Sequence, residues 1–122
     1  MYHNFRKLDI WVDGIELADS IYTITSAFPM EERYGLSSQM QRAAVSVSSN
    51  IAEGAAKDSS KDYCRFLGIS LGSLYELETQ LEIANRRGYV ETELYYTILI
   101  KITSLQRRVF TFRQHVSTDV TN

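Results

Sequence analysis

The chain has 122 residues, enough for one domain that buries roughly two-thirds of its unfolded surface. Hydrophobic residues make up 44% and charged residues 23%, a composition that excludes a disordered chain. Thirteen basic and fifteen acidic residues give a net charge of −2, so the chain as a whole has no general attraction to nucleic acid or to an anionic membrane.

The first predicted helix spans residues 7–28. Its apolar positions recur in steps of three and four, which predicts one buried stripe of Leu8, Trp11, Ile15, Ala18, Tyr22 and Thr25. The acidic residues of the segment are expected on the other side of the helix: Asp9, Asp13, Glu16 and Asp19. Pro29, the only proline, ends the helix near Phe28 because the residue before a proline disfavours helical geometry.

Three further helices are predicted over residues 38–56, 60–87 and 92–117, with the chain ends loose at 1–5 and after 117. Ser37 or Ser38 caps the second helix, Ser59 caps the third, and Gly88 ends the third. Each of these three helices has one apolar stripe. The stripe of the second helix is Met40, Ala44, Val47 and Ile51, and that of the third is Tyr63, Leu67, Ser70, Leu74, Leu77, Leu81 and Ala84. The stripe of the fourth is Tyr95, Ile98, Ile102, Leu105, Val109, Phe112 and Val116. Four such stripes with short connections predict one all-α domain, 1–122, that is an up-down-up-down antiparallel four-helix bundle.

Two uncharged runs, residues 43–52 and 66–75, lie on the second and third predicted helices. A tight reversal near residue 59 places them at the same height of a helical hairpin. Surface helices normally keep a charged face toward water, so the runs form either a neutral, solvated surface or a face buried against another subunit. The second interpretation predicts an interface of small residues: Ala43, Ala44, Ser46, Ser48, Gly68 and Gly72.

The hairpin also places Arg42 level with Glu76, and Glu53 level with Arg65, at the two ends of the uncharged runs. One hypothesis is that these residues form two ion pairs, with Asn50 supplying hydrogen bonds nearby. The alternative is four exposed side chains that each contribute under about 1 kcal/mol.

Residue types suited to catalysis or metal binding are scarce. A di-iron bundle needs inward Glu-x-x-His pairs, and neither His3 nor His115 follows a glutamate at that spacing. The lone Cys64 excludes an intrachain disulfide and is interpreted as a small buried hydrophobe, while Glu78 and Glu82 are interpreted as a solvated face. The sequence predicts no catalytic residue, no metal, no cofactor and no small-molecule substrate.

One surface has the charge pattern of a nucleic-acid-binding face. Lys101, Arg108 and His115 recur every seven residues and so form one line of the fourth helix. Further basic residues lie beside this line or at the end of the third helix: Arg107, Arg86 and Arg87. Such a face can track phosphates, although basic residues late in a helix also complement its dipole.

Several short motifs together resemble the 23S rRNA intervening-sequence protein family, also called four-helix bundle proteins. They are Phe28-Pro29, Glu32, Tyr34-Gly35-Leu36, Gln39, Arg42-Ala43-Ala44-Val45-Ser46, Asn50-Ile51-Ala52-Glu53-Gly54, Phe66-Leu67 and Gly72-Ser73-Leu74-Tyr75-Glu76-Leu77-Glu78. Members are encoded inside intervening sequences of 23S rRNA genes or stand alone. The resemblance implies a homopentamer and a relation to the accessory protein of diversity-generating retroelements, a five-membered barrel that binds nucleic acid and a reverse transcriptase.

Two functions follow as predictions for a non-enzymatic oligomer. The first is an RNA-associated protein, acting on RNA or with a nucleic-acid-associated protein through the basic face. The second is a protein-interaction scaffold that binds no nucleic acid. With no signal peptide and no apolar stretch long enough to span a bilayer, the protein is expected to be cytoplasmic and to have no membrane partner.

Overall fold

Four antiparallel helices form the bundle: α1 (Asp9–Thr25), α2 (Leu36–Ala55), α3 (Ser60–Arg86) and α4 (Thr92–Val120). Each helix packs against two others in the order α1, α2, α3, α4 and back to α1. The computed structural model describes residues 4–120, so residues 1–3 and 121–122 of the predicted loose ends lie outside the described residues. The C-terminal end is predicted too early, since α4 continues to Val120. Within residues 4–120 there is no strand, and no helix is long and apolar enough to cross a membrane. The predicted all-α four-helix fold is confirmed.

Two of the predicted helix-end signals are confirmed. Ser59 Oγ accepts a hydrogen bond of 3.1 Å from the backbone N–H of Asp62, which satisfies a free donor at the start of α3. After α3, Gly88 adopts a φ of +77°, the left-handed conformation that favours glycine. The backbone N–H of Tyr89 then reaches the carbonyl of Ala84 at 2.9 Å, which closes the helix end.

The predicted cap of α2 is wrong. The helix begins at Leu36, and neither Ser37 nor Ser38 caps it, because Ser37 is already inside the helix and buried. Instead, Glu32 Oε1 accepts the backbone N–H of Leu36 at 3.2 Å, while Glu32 Oε2 accepts the hydroxyl of Tyr89 at 3.0 Å. One carboxylate therefore joins the α1–α2 connection to the α3–α4 connection.

The predicted stripes of α2 and α3 are confirmed, since every one of their residues is fully buried. The stripe of α4 is also confirmed, with Tyr95 and Phe112 half-buried at its edge. These three helices surround one continuous core. In both α2 and α3 the stripe includes residues as small as Ala44 and Ser70, so the two backbones pack closely.

The predicted stripe of α1 is only partly correct. Its members Ile15 and Tyr22 are 47% and 50% exposed, whereas Thr25 is buried and the other three are half-buried against the core. The main buried line lies one residue earlier and consists of Ile10, Gly14, Leu17, Ile21 and Ile24. The two lines have the same spacing and differ by one residue, a rotation of roughly 100° about the helix axis. Periodicity alone does not choose between them.

The rotation of α1 is set by a close approach to α2. A Cβ on Gly14 would collide with Ser48 Oγ, so only glycine fits there without a shift. The same Ser48 Oγ donates a hydrogen bond of 3.0 Å to the carbonyl of Trp11. Gly14, which weakens the helical pattern in the sequence, is therefore the residue that brings the two helices together.

Serine hydroxyls fix the height of α3 against α2. Ser70 Oγ donates a buried hydrogen bond of 2.8 Å to the carbonyl of Val47, and Ser73 Oγ donates one of 2.9 Å to Ser46 Oγ. These pairs lie at the heights that a reversal near residue 59 requires. The two uncharged runs are therefore side by side, as predicted.

Replacing Gly14 with alanine tests the approach of α1 to α2. Gly14→Ala is expected to destabilise the protein by about 1–3 kcal/mol, because the new Cβ must displace Ser48 Oγ. In a Ser48→Ala background the same change should be neutral or stabilising by up to about 1 kcal/mol, because alanine favours a helix over glycine. The nearest remaining side-chain atoms, on Ser48 and Val47, lie at ordinary contact distances of 3.4 and 3.5 Å.

Denaturant unfolding of the two single variants and the double variant measures this coupling. An equal cost of Gly14→Ala with and without Ser48 would show that this contact does not set the helix approach.

Candidate interaction surfaces

The outer α2–α3 face is the exposed part of the two uncharged runs: Val45 and Ser49 on α2, and Ile69 and Gly72 on α3. Val45 lies at its α1 edge, because Gln41 and Ser48, one turn on either side of it, bond residues of α1. All four are exposed, and the large side chains Val45 and Ile69 are each 43% exposed. Gly72 leaves open space above the α3 backbone, because a Cβ there would contact nothing. The centre of this face is therefore uncharged, partly apolar and uncovered by the rest of the described chain.

Three of the six small residues predicted for an interface with another subunit are buried within the chain itself. Ala43, Ala44 and Ser48 pack in the core and have almost no surface to offer a second subunit. They are small because neighbouring helices approach closely, as Ser48 and Gly14 show.

The other three small residues lie nearer the surface. Ser46 is half-buried, and its Oγ accepts hydrogen bonds from Asn50 Nδ2 and Ser73 Oγ. Gly68 lies beneath Arg113, whose Nε is 3.3 Å from the position of a Cβ. Only Gly72 of the six is fully open on the outer α2–α3 face.

The four charges at the corners of this face are exposed and do not pair with one another. The ion pairs seen between described side chains are Arg86–Glu82 and Arg108–Asp13, and neither involves a corner residue. The hypothesised pairs Arg42–Glu76 and Glu53–Arg65 are thus wrong for the single chain. The Arg65 guanidinium instead lies 4.5 Å from the centroid of the Phe66 ring.

Asn50 does not reach the corner charges. Its Nδ2 donates hydrogen bonds of 2.8 Å to the carbonyl and to the Oγ of Ser46, one turn earlier in α2. The corner residues therefore form an exposed charged rim around an uncharged centre.

The basic line of α4 faces an acidic line on α1. Arg108 Nη1 donates a 2.7 Å hydrogen bond to Asp13 Oδ2, and its Nε reaches Ser104 Oγ at 3.3 Å. Lys101 lines a cavity of about 280 Å³ that also contains Asp13 and Glu16. Lys101 and Arg107 are exposed, as is His115.

This acidic line on α1 is a structural feature that the sequence pattern does not reveal. The sequence predicts the carboxylates of α1 on the solvent side, because it predicts the buried stripe on the neighbouring line of residues. With Ile10, Leu17 and Ile21 buried, Asp13 turns toward α4. The basic line is therefore partly neutralised by the protein itself.

Arg86 and Arg87 do not join that line. Arg86 bonds Glu82 Oε2 through Nε at 2.9 Å on the α3–α4 side of the bundle. Arg87 lies at the end of α3, where a hydrogen bond with Tyr89 raises the pKa of its guanidinium. The six basic residues predicted for one nucleic-acid face therefore occupy three separate places.

Two glutamates of α3 hold α4 by hydrogen bonds, which corrects their interpretation as a solvated face. Tyr95 Oη donates a bond of 2.6 Å to Glu82 Oε1, and Gln106 Nε2 donates one of 2.7 Å to Glu78 Oε1. The hydrogen bond from Tyr95, followed by that from Arg86, lowers the pKa of Glu82. The same carboxylate raises the pKa of Tyr95 to about 12.

The described residues bring together no group of three or more His, Cys, Asp or Glu side chains that would hold a metal ion. His3 lies outside the described residues. Cys64 is half-buried, its Sγ lies 3.6 Å from the carbonyl of Arg113, and its own carbonyl accepts Arg113 Nε at 2.8 Å. Its surroundings join α3 to α4.

Comparison with known proteins identifies the family of the chain and a solved structure with a similar fold. The family described as 23S rRNA-intervening sequence protein matches residues 6–111. A crystal structure of a protein of unknown function from the S23 ribosomal protein family of Bacteroides thetaiotaomicron is similar, with a TM-score of 0.80. The two chains are 24% identical over 86% of this chain and 95% of the other, which supports the fold. No curated protein matches the chain.

The Tyr95–Glu82 hydrogen bond predicts a specific pH dependence. The pKa of Tyr95 is raised from 10.0 to about 12, so the stability that the bond gives is full below pH 10 and is lost as the pH rises toward 12. The pKa of Glu82 is lowered from 4.5, so the same contribution is also lost as the pH falls below that value. Tyr95→Phe should therefore destabilise the protein most between these limits.

Two measurements check this expectation. Absorbance titration should show a phenol that ionises near pH 12 in the wild type and is absent in Tyr95→Phe. Unfolding at pH 7 and at pH 3 should show a smaller effect of the substitution at pH 3. Tyr96→Phe, which alters the exposed neighbouring ring, is the control; equal pH profiles for the two variants would contradict the assignment.

Proposed function

Because the chain belongs to the 23S rRNA-intervening sequence protein family, we propose that it is a non-catalytic, homo-oligomeric four-helix bundle that serves as a binding scaffold. The outer α2–α3 face is the observation that carries the proposal. This face leaves Val45 and Ile69 exposed on two adjacent helices and has no charge at its centre. A surface of this kind is more typical of a contact between subunits than of a free helix pair.

The layout of the face supports a specific contact. The uncharged centre is about 15 Å long at helical rise, and charged side chains stand at its corners. Protein interfaces share this arrangement of a core depleted of charge and a polar rim. Gly72 adds a place where a neighbouring backbone or side chain can approach closely.

The number of copies rests on the family resemblance, which favours five. A closed ring of five requires each subunit to use two different surfaces, and the outer α2–α3 face supplies one of them. The relation to accessory proteins of diversity-generating retroelements stays a prediction of the same resemblance.

A charge placed on the outer α2–α3 face should break the assembly. Ile69→Lys is expected to convert the oligomer to a monomer of 14.0 kDa without unfolding it, because Ile69 is 43% exposed in the single chain. Light scattering on a chromatographed sample measures the mass, which should be five times the monomer mass for the wild type. Circular dichroism verifies that the variant stays helical.

Ile100→Lys is the matched control, because Ile100 is more exposed and lies on α4. It should leave the mass unchanged if α4 does not supply the second surface of the ring, and loss of assembly in both variants would assign that surface to α4. A monomeric wild type at micromolar concentration would refute the oligomer. Loss of assembly in Ile100→Lys and not in Ile69→Lys would move the interface away from the outer α2–α3 face.

RNA binding is the second candidate function, and one observation favours it. Lys101 and Arg107 are exposed on α4 and form no ion pair with any described carboxylate. Such cations can bind phosphates without first breaking an ion pair within the protein. The pairing of Arg108 with Asp13 and the carboxylates along α1 weigh against a continuous phosphate track, so the scaffold is the first proposal.

Filter binding to structured RNA across a salt series tests the second candidate. Binding through phosphates should weaken steeply with salt, and Lys101→Ala or Arg107→Ala should each reduce the slope of log K against log salt by about one. Arg86→Ala is the control, since Arg86 is held by Glu82 on another side of the bundle. Absence of RNA binding at low salt would exclude this second function and leave the binding scaffold as the one proposed function.

A further inference from the structure

A cavity of about 760 Å³ lies between the start of α1 and the second half of α4. It is lined by Lys7, Leu8, Asp9 and Ile10 on one side and by Arg107, Arg108, Thr111, Phe112 and His115 on the other. It is an open groove rather than an enclosed site, and its volume is sufficient for part of a small organic ligand to lie in it. The outer α2–α3 face is formed by the other two helices, so oligomer assembly through that face does not use this cavity.

The floor of the cavity is apolar and fixed by the core. Ile10 is buried, while Leu8 and Phe112 are half-buried and pack against the core. The Phe112 ring meets the fully buried Tyr63 ring edge-on, with 5.8 Å between centroids. A flat apolar group that enters the cavity therefore contacts a preformed surface, so little side-chain conformational entropy is lost on binding.

The rim of the cavity is basic. Lys7 and Arg107 are exposed and form no ion pair with a described carboxylate, and His115 stands beside them. Arg108 is already held by Asp13 at 2.7 Å. Among the described lining residues, Asp9 is the one carboxylate beside the cations Lys7 and Arg107.

We propose that this cavity binds an amphipathic organic anion. The apolar or aromatic body lies on Leu8, Ile10 and Phe112, and a sulfonate, carboxylate or phosphate group meets Lys7 and Arg107. The guanidinium of Arg107 offers the paired donors that such groups bind in bidentate fashion. A cation would be repelled at the rim, and a neutral apolar molecule would leave both basic groups without a new partner.

The surroundings of the cavity favour a discrete anion over a nucleic-acid strand. From Arg108 the seam between α1 and α4 continues toward Lys101, and there Asp13 and Glu16 line it. Those carboxylates would repel the successive phosphates of a polymer that entered along the seam. A single anionic group at Lys7 and Arg107 avoids them.

Fluorescence titration with anilinonaphthalene sulfonate, an aromatic anion, tests the proposal on the full-length protein. Phenylnaphthylamine, which has the same rings without the sulfonate, should bind at least roughly tenfold more weakly. Arg107→Glu should raise the Kd of the sulfonate by roughly tenfold. Lys101→Glu, the same charge reversal two turns earlier on α4 and outside the cavity, should change the Kd by less than about twofold.

A second variant tests the cavity without changing its charge. Thr111→Trp places a large ring in the opening from an exposed position of α4 and should abolish saturable binding while leaving the helical circular dichroism unchanged. Equal affinity of the wild type and Arg107→Glu would overturn the proposal, as would unaltered binding by Thr111→Trp. Displacement of the probe by RNA, with affinity lost equally in Arg107→Glu and Lys101→Glu, would assign the site to a polymer and also overturn it.

Discussion

The contact of Gly14 with Ser48 determines much of what the rest of the bundle presents to its surroundings. Because glycine has no side chain, α1 lies close enough to α2 for Ser48 Oγ to reach the carbonyl of Trp11 at 3.0 Å. That approach fixes the rotation of α1 and turns Leu17 and Ile21 into the core. The same rotation brings Asp13 to Arg108 on α4. A packing constraint between two helices therefore sets the electrostatic character of a third.

The sequence predicts α2 and α3 well because each has one apolar stripe and no competing line beside it. Their height is also predictable, since the reversal near residue 59 leaves little freedom, and the bonds from Ser70 and Ser73 agree with it. In α1, two adjacent lines both contain large apolar residues, and periodicity alone does not separate them. The choice depends on the close approach at Gly14, which exists only when two helices meet.

The candidate surfaces were predictable to the extent that they depend on a single helix. The exposed centre around Val45 and Ile69 follows from uncharged runs that are visible in the sequence. The pairing of Arg108 with Asp13 joins residues 95 positions apart, and the cavity near Phe112 forms between the two helices that end the chain. Such features depend on the rotation of each helix, so a residue-by-residue interpretation finds the basic groups and misses what faces them.

The carboxylate of Glu32 makes the two ends of the bundle mechanically unequal. At one end it joins both connections, through the N–H of Leu36 and the hydroxyl of Tyr89. The opposite end has the α2–α3 connection, the start of α1 and the end of α4, and this carboxylate does not reach it. Thermal fluctuations that part α1 from α4 should therefore be hinged at the Glu32 end and widest near the termini. The cavity above Phe112 lies at the end of the bundle where α1 and α4 should separate most. A bulky ligand can therefore enter it without breaking the hydrogen bonds of Glu32.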